Sequence, residues 1–139
     1  MKYNNGSAFR RALEDRLRAK SLQTGIPLVR LRKMVAFDRF LARLLHDQPW
    51  RWVLKGGLAL QLRLGAEART TKDIDVLLLD SGQDISMSLR RAGAVELEDW
   101  FSFEIGNPEA GADDPGGKRY PLLANYPVEV WDPANWSWR

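Results

Sequence analysis

Asp73 and Asp75 stand two residues apart at the head of an otherwise apolar run, Asp73-Ile74-Asp75-Val76-Leu77-Leu78-Leu79-Asp80. In an extended run, alternate side chains share a face, so both carboxylates project together. Side by side they repel unless a cation lies between them. Oxygen-only donors suit Mg²⁺, which binds through one or two carboxylates plus substrate phosphates. An EF-hand loop is excluded, because its third acidic position falls on Leu77. An Asp-x-Asp triplet carries little alone. Its place at the start of a strand that is apolar on both faces, as a central strand should be, argues for a bound cation, since unpaired buried carboxylates are costly.

A second group, Lys55-Gly56-Gly57, lies between a short strand at Arg51-Trp52-Val53-Leu54 and an apolar helix from Leu58 to Leu64. Glycines there let the backbone approach a ligand, and a helix N-terminus offers free N–H groups to phosphate. Neither the P-loop nor the dinucleotide fingerprint is present. A lone Gly-Gly is otherwise a tight turn. A Gly-Gly turn, a helix and then Asp-x-Asp on the next strand together describe a nucleotidyltransferase site of the polymerase-β-like kind. There the glycines hold a triphosphate and the carboxylates hold metal for in-line attack on the α-phosphate.

Longer stretches carry a more specific likeness. Phe37-Asp38-Arg39-Phe40-Leu41-Ala42-Arg43-Leu44, Val53-Leu54-Lys55-Gly56-Gly57 and Arg69-Thr70-Thr71-Lys72-Asp73-Ile74-Asp75 resemble the R-F-L-x-R-L, L-K-G-G and R-x-T-x-D-I-D segments of the abortive-infection nucleotidyltransferase toxin family (AbiEii/AbiGii type). Gly116-Gly117-Lys118-Arg119-Tyr120-Pro121 resembles that family's G-G-x-R-[FY]-P segment, and Val128-Glu129-Val130 its V-D-V strand. The likeness runs in order from about Ala8 to Asp132. It implies a nucleotidyltransferase fold, Mg²⁺ dependence with a two-metal site, a nucleoside triphosphate substrate, an RNA acceptor such as tRNA, and a cognate antitoxin. Carried over by residue, Gly56 and Gly57 meet the triphosphate with Lys55 and Arg69 as supporting cations. Asp73, Asp75 and Glu129 are then the catalytic, metal-binding carboxylates. Glu129 stands where the family usually has Asp, one methylene further out, and the segment Leu122–Tyr126 looks shorter than in relatives. Relatives continue into a helical C-terminal region beyond the position of Arg139, so a short or truncated member is expected.

The elements that must position these residues follow from periodicity. Ser7 can cap a helix to about Leu22, with Phe9, Leu13 and Leu17 recurring every fourth residue. Thr24-Gly25-Ile26-Pro27 breaks it, and a second helix runs from about Pro27 to His46 with a wide apolar stripe. Asp84 to Ala92 reads as a helix and Val95 to Ile105 as one strand or a bent pair. The Gly-, Pro- and Asp-rich stretch Asn107 to Gly117 reads as a loop. Tyr120–Leu123 and Val128–Trp131 read as strands that can pair. Trp50, Trp52, Trp100 and Trp131 are expected in the core or at its rim, and His46 at a helix end. The fold class is α/β (α+β), with N-terminal helices followed by a mixed nucleotidyltransferase-type sheet and flanking helices. One domain spans 1–139: a helical part (1–48), a catalytic-type sheet (49–132) and a tail (133–139).

The chain has 139 residues, with no cysteine and one histidine. Disulfide scaffolds, cysteine zinc sites and thiol nucleophiles are thereby excluded, and a Ser-His-Asp hydrolase is disfavoured. No apolar run approaches the roughly 20 residues of a membrane span, and the start of the chain does not read as a signal peptide, so a cytoplasmic location is expected. Residues 1–72 hold 16 Lys or Arg against 5 Asp or Glu, whereas residues 73–139 hold 5 against 13. A basic half fits polyanionic partners, or simply solvated helix faces.

Three function classes remain. The first is an Mg²⁺-dependent enzyme transferring a nucleotide from a triphosphate to an RNA or protein acceptor. The second is a catalytically decayed remnant of that fold, binding a nucleotide or a partner. The third, a nucleic-acid-binding module, leaves Asp73 and Asp75 unexplained. Trp136 and Trp138 alternate like one strand face and are expected to shield a sheet that otherwise receives a partner, either a second copy (a homo-oligomer) or an antitoxin-like protein.

Overall fold

Asn5, rather than Ser7, starts the first helix. Its side-chain oxygen accepts the Ala8 N–H at 2.8 Å, satisfying one of the free donors of the first turn. The chain is described by a computed structural model over residues 5–56, 74–79, 84–109, 118–126 and 129–130. The expected helix at Leu58–Leu64, most of the Gly-rich loop, and Trp131, Trp136 and Trp138 lie outside the described residues.

Helix α1 (Gly6–Thr24) ends at Gly25, whose φ of 76° is the left-handed conformation that glycine adopts freely and whose N–H bonds the Ser21 carbonyl. Helix α2 (Leu28–Asp47) starts after Pro27, whose fixed φ suits a helix entrance. Leu31, Ala36, Phe37, Phe40 and Leu44 form its buried stripe. The two helices are latched by Glu14 and Arg32, the guanidinium donating to both carboxylate oxygens, the shortest contact being 2.6 Å.

Strands β1 (Trp52–Lys55) and β2 (Asp75–Leu78) pair antiparallel, with Val53 opposite Leu77 and Lys55 opposite Asp75. Helix α3 (Ile85–Gly93) follows, capped by Asp84, whose carboxylate accepts the Ser86 and Met87 N–H groups. A second antiparallel sheet runs β3 (Ser102–Ile105), β4 (Leu122–Tyr126), β5 (Glu129–Val130). The two last strands do pair, Asn125 with Val130 and Tyr126 with Glu129. The helices-first, α-plus-β order is therefore the expected one, and every strand pairing among the described residues is antiparallel.

The core lies where α2 and α3 meet β3 and β4. Phe40 packs on Phe103 with ring centroids 5.3 Å apart, Phe103 stacks beside Phe101, and Phe9 of α1 meets Phe101 edge-on. Each fully buried Phe contributes about 1.5–3 kcal/mol of apolar transfer. Trp52, Leu54, Ile74 and Val76 add the inner face of the β1–β2 pair to this core.

Three further expectations are corrected. The stretch Val95 to Ile105 forms a strand only from Ser102, because Glu98 and Trp100 both take positive φ (55° and 65°), which breaks extended pairing. The strand containing Asp75 is apolar on both faces in sequence but covered on one: Val53 is 41%, Leu77 49% and Leu79 57% exposed. Trp50 is likewise exposed rather than part of the core or its rim.

Candidate functional site

The inward turn of Trp52 and Leu54 against the core sets the alternation of β1, so Val53 and Lys55 face away from it. Lys55 is exposed, and Gly56 after it has φ 72°. That conformation costs a residue with a Cβ about 1–2 kcal/mol, which is why a glycine stands at the end of this strand. Across the pair, Asp75 is the first residue of β2 and the register partner of Lys55. Opposite partners in an antiparallel pair share a face. The position of Asp75 is therefore on the open face, beside Lys55 and one residue from the Gly56 turn, with Val53 and Leu77 as the next pair along.

Strand pairing thus brings together Lys55, Gly56 and Asp75. Gly57, Arg69 and Asp73 lie outside the described residues. Glu129 sits in β5, opposite Tyr126, and among the described residues no strand pairing joins its sheet to β1–β2. Among the described residues, no three Asp, Glu or His side chains converge as a metal cage would require. Of the Gly116–Pro121 segment, Lys118 to Pro121 is described. It lies along the segment after β3, with the Glu109 N–H donating to the Arg119 carbonyl and the Gly106 N–H to the Pro121 carbonyl. The Ser86 hydroxyl donates to the Tyr120 hydroxyl oxygen, tying this segment to the start of α3.

The Arg39–Leu44 stretch has a structural role that sequence reading missed. Arg43 is fully buried, and its guanidinium uses all five donors: on the carbonyls of Arg39, Val95 and Phe101 and on both oxygens of Asp99. Its carbon lies 4.9 Å from the centre of the Phe103 ring. Arg39 reaches the same carboxylate at 3.5 Å. Burial pushes the Asp99 carboxyl up, but the hydrogen bonds from Arg43 and from the Phe101 N–H, with the charges of Arg43 and Arg39, outweigh it and hold the group below the ordinary carboxylate value. This cluster fastens α2 to the segment entering β3. Its signal in sequence was a pair of arginines four apart inside an apolar stripe, which needs a buried acid as partner.

No curated protein shows a significant match to the chain. The family described as nucleotidyl transferase AbiEii toxin, type IV toxin–antitoxin system, matches residues 37–133, from the middle of α2 past β5. That span holds the Arg43–Asp99 cluster, the Gly56 turn, the β1–β2 register and the strand of Glu129, and it covers well over half of the sequence. The chain belongs to the nucleotidyl transferase AbiEii toxin family.

Proposed function

We propose that the chain is an Mg²⁺-dependent nucleotidyltransferase that moves a nucleotide from a nucleoside triphosphate to an RNA acceptor such as tRNA, or to a protein, and that an antitoxin counters it. The observation that carries this reading is the register of Lys55 with Asp75, which sets Gly56 next to the first residue of β2. Membership of a nucleotidyl transferase toxin family supports it. No helix among the described residues is long and apolar enough to cross a membrane, which accords with a cytoplasmic site of action.

Asp73, Asp75 and Glu129 offer oxygen donors alone, so together they would hold a hard cation such as Mg²⁺. When bound, the ion would polarise the α-phosphate and offset charge on the leaving pyrophosphate. The chain's own groups do the rest. The Gly56-Gly57 backbone binds the triphosphate, and Lys55 and Arg69 balance its charge. An acceptor hydroxyl oxygen then bonds to the α-phosphorus as the bond to the β-phosphate oxygen breaks. Pyrophosphate leaves, and a carboxylate of the site takes the hydroxyl proton.

The test is incubation with Mg²⁺, each labelled triphosphate and total tRNA. Label transfer that disappears in Asp75→Asn, with the fold intact, is the expected result. Triphosphate binding without transfer to any acceptor would instead identify a catalytically decayed, nucleotide-binding member of the fold.

A further inference from the structure

Trp50 is 89% exposed, and its backbone is strained. The Arg51 N–H donates to the Gln48 carbonyl at 3.3 Å, closing a turn with Pro49 in second place and Trp50 in third. The φ of 69° at Trp50 is the third-position conformation of a type II turn, which favours glycine. A ring so bare gains little from its own chain to offset that strain. Strain of this kind persists at functional positions, and tryptophan is enriched among the anchors of interfaces.

Trp50 adjoins one end of the open face of the β1–β2 pair. The Leu79 N–H donates to the Arg51 carbonyl at 2.8 Å, which carries the pairing one residue beyond each strand. Three partner positions therefore face outward: Arg51 with Leu79, Val53 with Leu77, and Lys55 with Asp75. Val53, Leu77 and Leu79 stand exposed side by side, and an apolar patch bordered by polar residues marks a protein interface.

The signs of the two rows select the occupant. The β1 row, Arg51, Val53 and Lys55, has two cations and no acid, whereas the β2 row, Asp75, Leu77 and Leu79, has one acid and no cation. A face of one sign calls for a partner of the other, but a face with one row of each complements itself. A two-fold axis along the strands, between two copies laid face to face, exchanges the rows. Register partners stand at the same height, so the Lys55 position then meets the Asp75 position of the other copy, and Val53 meets its Leu77. We infer that two copies of this chain pair through their open β1–β2 faces, with Trp50 of each covering the Leu79 end of the other. The candidate triphosphate site lies on the same face, so pairing and triphosphate binding would exclude one another. The inference itself stands on register, exposure and strain, and not on the transfer reading.

The test is sedimentation equilibrium of the full chain, without triphosphate, over a concentration series into the high micromolar range. A reversible monomer–dimer equilibrium is expected. Trp50→Gly should weaken it by about 30-fold or more, as loss of an interface anchor does. The same variant should keep its melting temperature, since glycine suits the turn, and this separates a lost contact from a lost fold. Lys55→Glu and Asp75→Lys should each weaken association, because like charges then face one another across the axis. Mixing the two variants should restore it, since every acid again meets a cation, whereas a contact within one chain is not repaired by mixing. A strictly monomeric parent would overturn the inference, as would a mixture that associates no better than its components or a Trp50→Gly chain that pairs like the parent. A monomer whose melting temperature falls in Leu77→Ser would also overturn it, by showing that the chain covers this face itself.

Discussion

The guanidinium of Arg43 meets the carboxylate of Asp99 through two parallel bonds of 2.7 and 2.8 Å. Asp99 is flanked by Glu98 and Trp100, both with positive φ, so the chain is bent to present this carboxylate. Such strain persists only where surrounding contacts over-determine it, and the Arg43 donors supply those contacts.

Removing one partner of this buried pair should therefore cost more than a surface substitution. Asp99→Ala is expected to destabilise by about 3–5 kcal/mol, because the Arg43 charge is left buried and unpaired. Arg43→Lys should cost nearly as much, since a point-like ammonium cannot serve five acceptor directions. Urea unfolding reads both, and a shift in midpoint no larger than for an exposed Arg→Lys control would contradict them.

The same pair sets an acid limit. The Asp99 carboxyl is held below its ordinary value in the folded chain, so its ionised form favours folding. That contribution is complete above the unfolded value of about 4 and is lost as pH falls through the lower folded value. Thermal melts of the parent chain should fall away below pH about 4 more steeply than melts of Asp99→Asn, which has no carboxylate there to protonate. Parallel curves would remove this residue from the acid response.

Gly56 offers a separate test of the candidate site. With φ at 72°, Gly56→Ala should destabilise by about 1–2 kcal/mol. Gly56→Asn should cost less, because Asn tolerates the left-handed region better than other side chains. Both variants should lose triphosphate binding if the backbone there must approach phosphate. Retained binding in the two, measured by calorimetry, would assign the glycine to turn geometry alone.

Glu14→Gln should weaken the α1–α2 latch by about 1–3 kcal/mol, since Arg32 would lose a charged partner. The melting temperature should drop accordingly, and a melt unchanged from the parent chain would show that the latch does not depend on this carboxylate.

The helices and the pairing of the last strands were legible because apolar residues recur at helical or alternating spacing from Leu31 to Leu44 and from Leu122 to Val130. The Gly56 turn was legible because glycine after a strand has few other uses. The open outer face of β2 was not, since Leu77 and Leu79 read as core by type, and only the three-dimensional cover decides burial. Asp99 was missed for a related reason: a buried acid is identified by its partner, and Arg43 is more than fifty positions away. The placement of Glu129 in a different sheet from Asp75 could not be read from spacing either, because strand order is set by long-range pairing.

Lys55 and Asp75 are neighbours in space, although residues 56–74 lie between them. The pairing closes the chain between them into a loop. Doubling the length of such a closed excursion adds only about 0.6 kcal/mol of entropy. Slipping the pairing by a single residue, in contrast, would exchange the two faces of the strand and turn Val76 toward solvent. The four paired positions from Trp52 to Lys55 therefore hold the open face in phase, and it is register rather than distance along the chain that sets Asp75 opposite Lys55.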